Sequence, residues 1–84
     1  MTSQLLMIED DARLAKMVVE YLGQSGFAVT HAADGEAGLE QLQLIQPELV
    51  ILDLMMPGID GLEVCRRIRA LQGDVARVPV LMLT

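Results

Sequence analysis

Apolar residues along this chain fall into two kinds of pattern that alternate. Four short runs, Leu5 to Ile8, Phe27 to Thr30, Leu49 to Leu52 and Val78 to Leu83, have the length and content of strands. The first, third and fourth are almost wholly apolar, as in parallel strands covered on both faces. Pro79 sits near the start of the fourth, a position that strands tolerate. In the second run Phe27, Val29 and His31 alternate with smaller or polar neighbours, which predicts an edge strand.

The stretches between these runs carry a helical period. Leu14, Val18, Tyr21 and Leu22 fall at i, i+4, i+7 and i+8, with Asp10 or Asp11 as N-cap and Gly23 or Gly26 as terminator. A second helix is expected from about Gly35 to Gln46, with Leu39, Leu42 and Ile45 on one side and Pro47 as the stop. A third is expected from about Gly61 to Leu71, with Leu62, Cys65 and Ile68 as its stripe, Val64 and Leu71 widening it, and Asp60 capping it. Met7, Met17 and Met82 fit core positions, Cys65 reads as a small buried hydrophobe, and Tyr21 reads as part of the first helix's packing. The order β-α-β-α-β-α-β defines an α/β fold with right-handed crossovers and helices on both faces of a sheet. In such sheets ligands bind beyond the carboxyl ends of the strands, where the strand order reverses.

Composition narrows the picture. A chain of 84 residues, 52% of them hydrophobic, makes one domain at most and is not disordered. Its longest uninterrupted apolar runs are far below the ~18 to 20 residues needed to cross a bilayer, so a soluble protein with no membrane partner is expected. Met1-Thr2-Ser3-Gln4 lacks the features of a secretory signal. The single cysteine, Cys65, permits no internal disulfide, which fits a reducing, cytoplasmic location. A net charge of −6 argues against direct binding of nucleic acid. Arg66, Arg67, Arg69 and Arg77 read as a solvated helix face rather than a docking patch.

The negative charge is concentrated where the fold would bind a ligand. Glu9-Asp10-Asp11 follows the first strand and Asp53 ends the third. Taken alone, the triplet is explained by helix capping and the helix dipole, and Asp53 by a strand terminator. If the two strands are neighbours, the carboxylates converge, and such a cluster raises its own pKa values unless a cation neutralises it. Oxygen donors with room for water suit Mg²⁺. Pro57-Gly58 turns the chain back over the pocket, where a backbone carbonyl could complete the metal shell. A carboxylate beside a divalent cation is also suited to attack on phosphorus.

These residues resemble a known family, the receiver domains of bacterial two-component response regulators, most of all the subfamily with a winged-helix DNA-binding output domain. The resemblance runs through Glu9-Asp10-Asp11, Ala33-Asp34-Gly35, Pro47 to Asp53, Met56-Pro57-Gly58-Ile59-Asp60-Gly61 and Val80 to Thr84. It implies a flavodoxin-like open parallel sheet of order 2-1-3-4, with Asp53 as phosphoacceptor and a sensor histidine kinase as donor. It also implies Mg²⁺ held by Asp10, Asp53 and the Met55 backbone carbonyl, Glu9 acting through a metal-bound water, and Thr84 as the phosphoryl switch residue. Asp11 is then a helix cap.

The family pattern continues with a further strand and two helices, which carry an aromatic switch residue and a Lys. Residues 1–84 are accordingly expected to be a C-terminally incomplete receiver domain, self-associating through the Val80 to Thr84 edge and touching DNA only through an output domain outside this chain. Two rivals remain. A phosphatase of the haloacid dehalogenase type needs an Asp two residues after its nucleophile, where this chain has Met55. A receiver-shaped interaction module that is never phosphorylated would have lost acidic-pocket residues, which are present here. His31 follows the edge strand with no motif around it and reads as a strand-end histidine.

Overall fold

The computed structural model describes residues 2–83. Four strands, β1 (Ser3–Ile8), β2 (Phe27–Ala32), β3 (Leu49–Asp53) and β4 (Val80–Leu83), alternate with three helices, α1 (Ala12–Gln24), α2 (Gly35–Ile45) and α3 (Gly61–Arg69). A short 3₁₀ turn, Asp74–Arg77, precedes β4. The strands form one parallel sheet in the order β2-β1-β3-β4, as expected. Met7 is in register with His31 on one side and Ile51 on the other, and Asp53 is in register with Leu83. The apolar runs of β1 and β3 are explained by their central position, where both faces are covered.

Side chains of alternate residues divide between the two faces. Leu6, Ile8, Val50 and Leu52 meet Leu42 of α2 and Val64 and Ile68 of α3, all fully buried. On the other face Met7 and Ile51 pack on Ala15 of α1, with Val18 and Leu22 half buried beside them. Gly38 brings α2 close to β1, since a Cβ there would run into the Ile8 side chain.

Local stops and starts follow side-chain chemistry. Asp11 caps α1, accepting from the backbone N–H groups of Arg13 and Leu14 at 3.0 and 3.1 Å. Asp60 caps α3 through Glu63 N at 2.9 Å. Asp34 does the same for α2 through Ala37 N at 2.8 Å. The arginines of α3 are divided: Arg66 and Arg67 pair with Glu63 at 3.2 and 3.0 Å on the exposed face, as expected. Arg69 instead folds across to the 3₁₀ turn and donates to the carbonyls of Ala76 and Val78 at 3.0 and 2.8 Å.

Several expectations are corrected. α1 packs through the small Ala15, which permits close approach to the sheet, and not through Tyr21 or Met17, which are 70% and 65% exposed. Leu14 and, on the edge strand, Met82 are partly open to solvent, and Leu62 on α3 is largely so. The buried stripe of α3 is Gly61, Val64 and Ile68, with Cys65 only half buried. α3 stops at Arg69, two residues early. β4 begins at Val80 rather than Val78, because the 3₁₀ turn occupies the chain up to Arg77 and Pro79 has no N–H for a ladder.

Candidate functional site

The adjacency of β1 and β3 decides the site. Both strands run the same way, so Glu9-Asp10 and Asp53 emerge at one end of the sheet, where the connections diverge to opposite faces. One carboxylate oxygen from each of Glu9, Asp10 and Asp53 lies within 4.8 Å of the others. Their environments differ. Glu9 is 4% exposed, Asp53 is intermediate and Asp10 is open to solvent.

Backbone groups fix the cluster. Glu9 Oε2 accepts from Asp11 N at 3.1 Å, and the Glu9 N–H donates to Ala32 O at 3.0 Å. Asp53 Oδ1 accepts from the backbone N–H of Met55 at 3.0 Å. The loop after Asp53 folds back as Pro57-Gly58 suggested: Gly58 has φ of 79°, and Gly61 lies against the backbone of Asp53 and Leu54. A Cβ at Gly61 would stand 2.6 Å from Leu54 Cα and 2.7 Å from Asp53 O, so only glycine lets α3 start there. Met56 is buried under this loop, whereas the Met55 side chain is 79% exposed.

Burial pushes the Glu9 carboxyl above its ordinary pKa, and the nearby Asp53 and Asp10 carboxylates push it further, against the lowering by the Asp11 N–H. Charge in this pocket is thus costly without a counter-ion. A set of carboxylate oxygens, one of them buried, fits a hard divalent cation such as Mg²⁺. Asp11, occupied at the head of α1, stands outside the cluster, as expected of a cap. Thr84 lies outside the described residues.

Sequence reasoning did not find one further contact, from His31 Nε2 to the backbone carbonyl of Glu9 at 2.7 Å. No local motif signals it, because it spans two strands.

A parallel α/β sheet of this order with acidic residues at its switch point defines the receiver class. The family model for the response regulator receiver domain matches residues 5–84, and the chain belongs to that family. Receiver domains are phosphoacceptor switches rather than ordinary enzymes, and they bind Mg²⁺ at an acidic pocket. The chain is 42% identical over 84 residues to the DNA-binding response regulator MtrA of Mycobacterium tuberculosis, covering all of this chain and 35% of that protein. It thus spans about a third of the length of the curated relatives it matches. Among solved structures, the N-terminal domain of a response regulator receiver protein from Methanoculleus marisnigri superposes with a TM-score of 0.90 at 36% identity, over 96% of this chain and 65% of that one. The BeF3-activated N-terminal receiver domain of Klebsiella pneumoniae RstA gives 0.84 at 32% identity, over 98% and 67%. Among the described residues no helix is long and apolar enough to cross a membrane.

Proposed function

We propose that Asp53 accepts a phosphoryl group from a phosphohistidine on a sensor histidine kinase, in a Mg²⁺-dependent reaction, and that the group then leaves by slow hydrolysis. The observation that carries this reading is the convergence of Glu9, Asp10 and Asp53 at the carboxyl ends of neighbouring strands. Asp10, Asp53 and the Met55 carbonyl would hold the ion, with Glu9 acting through a water. When bound, the cation would offset repulsion between the phosphoryl oxygens and the carboxylates.

The residues of this chain supply the rest. The Met55 N–H orients the Asp53 carboxylate through Oδ1; a P–O bond forms on Asp53 as the P–N bond to the donor imidazole breaks. Asp10 is exposed, so the pocket is open to solvent and to a donor on its side. Thr84 would hydrogen-bond the phosphoryl group.

Residues 1–84 would act as the N-terminal part of a cytoplasmic regulator whose phosphorylation shifts dimerisation and, as the relatives' descriptions suggest, transcription. RstA's receiver, described as BeF3-activated, is in keeping with such a switch. Exposed Leu81 and Met82 on β4 make that strand the candidate surface for self-association, and light scattering that shows only monomer at high concentration would contradict it.

Incubation with acetyl phosphate and Mg²⁺, followed by intact mass measurement, tests the main claim. One added phosphoryl group is expected, absent in Asp53→Asn and absent when the metal is chelated. No adduct on the whole regulator proposed above would contradict the proposal and favour an interaction module that is never phosphorylated.

A further inference from the structure

We propose that His31 is a positioning residue for the acidic pocket, holding the peptide that carries Asp10. The inference rests on the metal-binding role given above to Asp10 and Asp53. His31 lies on the edge strand β2, and its Nε2 is 2.7 Å from the backbone carbonyl of Glu9. A carbonyl only accepts, so this nitrogen must carry the proton, which fixes the ring's protonation at Nε2.

The bonded carbonyl belongs to the peptide joining Glu9 to Asp10. Because a peptide unit is planar, fixing the direction of its carbonyl also fixes its N–H and the Cα of Asp10. The preceding peptide is fixed from the same strand, since the Glu9 N–H donates to Ala32 O at 3.0 Å. β2 therefore grips the chain on both sides of the Glu9 Cα, just where it leaves the sheet. Asp10 needs such a device. Its side chain is exposed, so packing cannot place its carboxylate within 4.8 Å of those of Glu9 and Asp53. Groups that orient metal ligands commonly change affinity by about 10- to 100-fold when removed. His31 is itself exposed and acts through the backbone rather than on a ligand atom, so an effect at or below the bottom of that range is expected.

The test is calorimetric titration of the protein with Mg²⁺, together with thermal melting in chelator, for the wild type, His31→Phe, His31→Gln, Asp10→Asn and Asp53→Asn. His31→Phe keeps a planar ring but loses the donor, whereas His31→Gln keeps an N–H at similar reach. We expect His31→Phe to weaken Mg²⁺ binding by about 3- to 10-fold, His31→Gln to recover most of it, and metal-free melting to change by no more than about 2 °C. Unchanged Mg²⁺ affinity in His31→Phe, whatever its melting temperature, overturns the proposal. A wild type that takes up no Mg²⁺, or whose uptake survives both Asp10→Asn and Asp53→Asn, overturns the metal reading instead, so the two failures are told apart.

Discussion

The two faces of the sheet are built to different standards. Under α2 and α3, seven large side chains from four elements are sealed from water: Leu6, Ile8, Leu42, Val50, Leu52, Val64 and Ile68. Under α1 the buried cluster is the smaller one of Met7, Ala15 and Ile51, with Leu5 buried further along β1, while Leu14, Met17 and Tyr21 line an open apolar groove, and Leu81, in register with Ile51, is exposed. The carboxylate-bearing ends of β1 and β3 are thus anchored chiefly from one side. Substitutions should be felt in proportion to that difference.

The largest effect is expected for Leu52→Ala, which empties a fully buried position next to Asp53 on the well-packed face. It should cost about 2 to 5 kcal/mol in urea unfolding. A cost below that of an exposed α1 substitution would erase the contrast. Gly61→Ala comes next, because its Cβ meets backbone atoms of Leu54 and Asp53 rather than a yielding side chain. A loss of about 1 to 3 kcal/mol is expected, with weakened Mg²⁺ binding, since the same shift moves Asp53. Tyr21→Ser, on the open groove, should change stability by less than about 0.5 kcal/mol.

A pH series sharpens the picture at the site. Glu9 has a raised pKa in the folded state, so its contribution to stability is fully present below the unfolded value of 4.5 and is lost as pH rises through the folded value. Metal-free protein should therefore gain from Glu9→Gln at pH 7 and not at pH 4, measured by melting temperature. Added Mg²⁺ should reverse the sign at pH 7.

Much of this was legible in the chain. The four apolar runs located the strands, Asp11 and Asp60 were readable as caps, and the convergence of Glu9, Asp10 and Asp53 needed only that β1 and β3 be neighbours. What was not legible depends on partners distant in sequence. The apolar residues of α1 cover more of its circumference than one contact can bury, and only the sheet beneath selects Ala15 over Leu14 and Tyr21. The late start of β4 follows from a 3₁₀ turn that Arg69, from another element, holds through the carbonyls of Ala76 within it and Val78 just after it. The burial of Glu9 beside an exposed Asp10 and the bond from His31 belong to the same class: adjacent residues given opposite surroundings by a neighbouring strand.

The central claim is that one particular aspartate carries the phosphoryl group. Borohydride reduction of the phosphorylated protein converts an aspartyl phosphate to homoserine, and fragment mass spectrometry then reads its position. Homoserine at position 53 alone is the predicted result. Homoserine at position 10 or 11 instead, or none in protein whose intact mass shows the adduct, would contradict it.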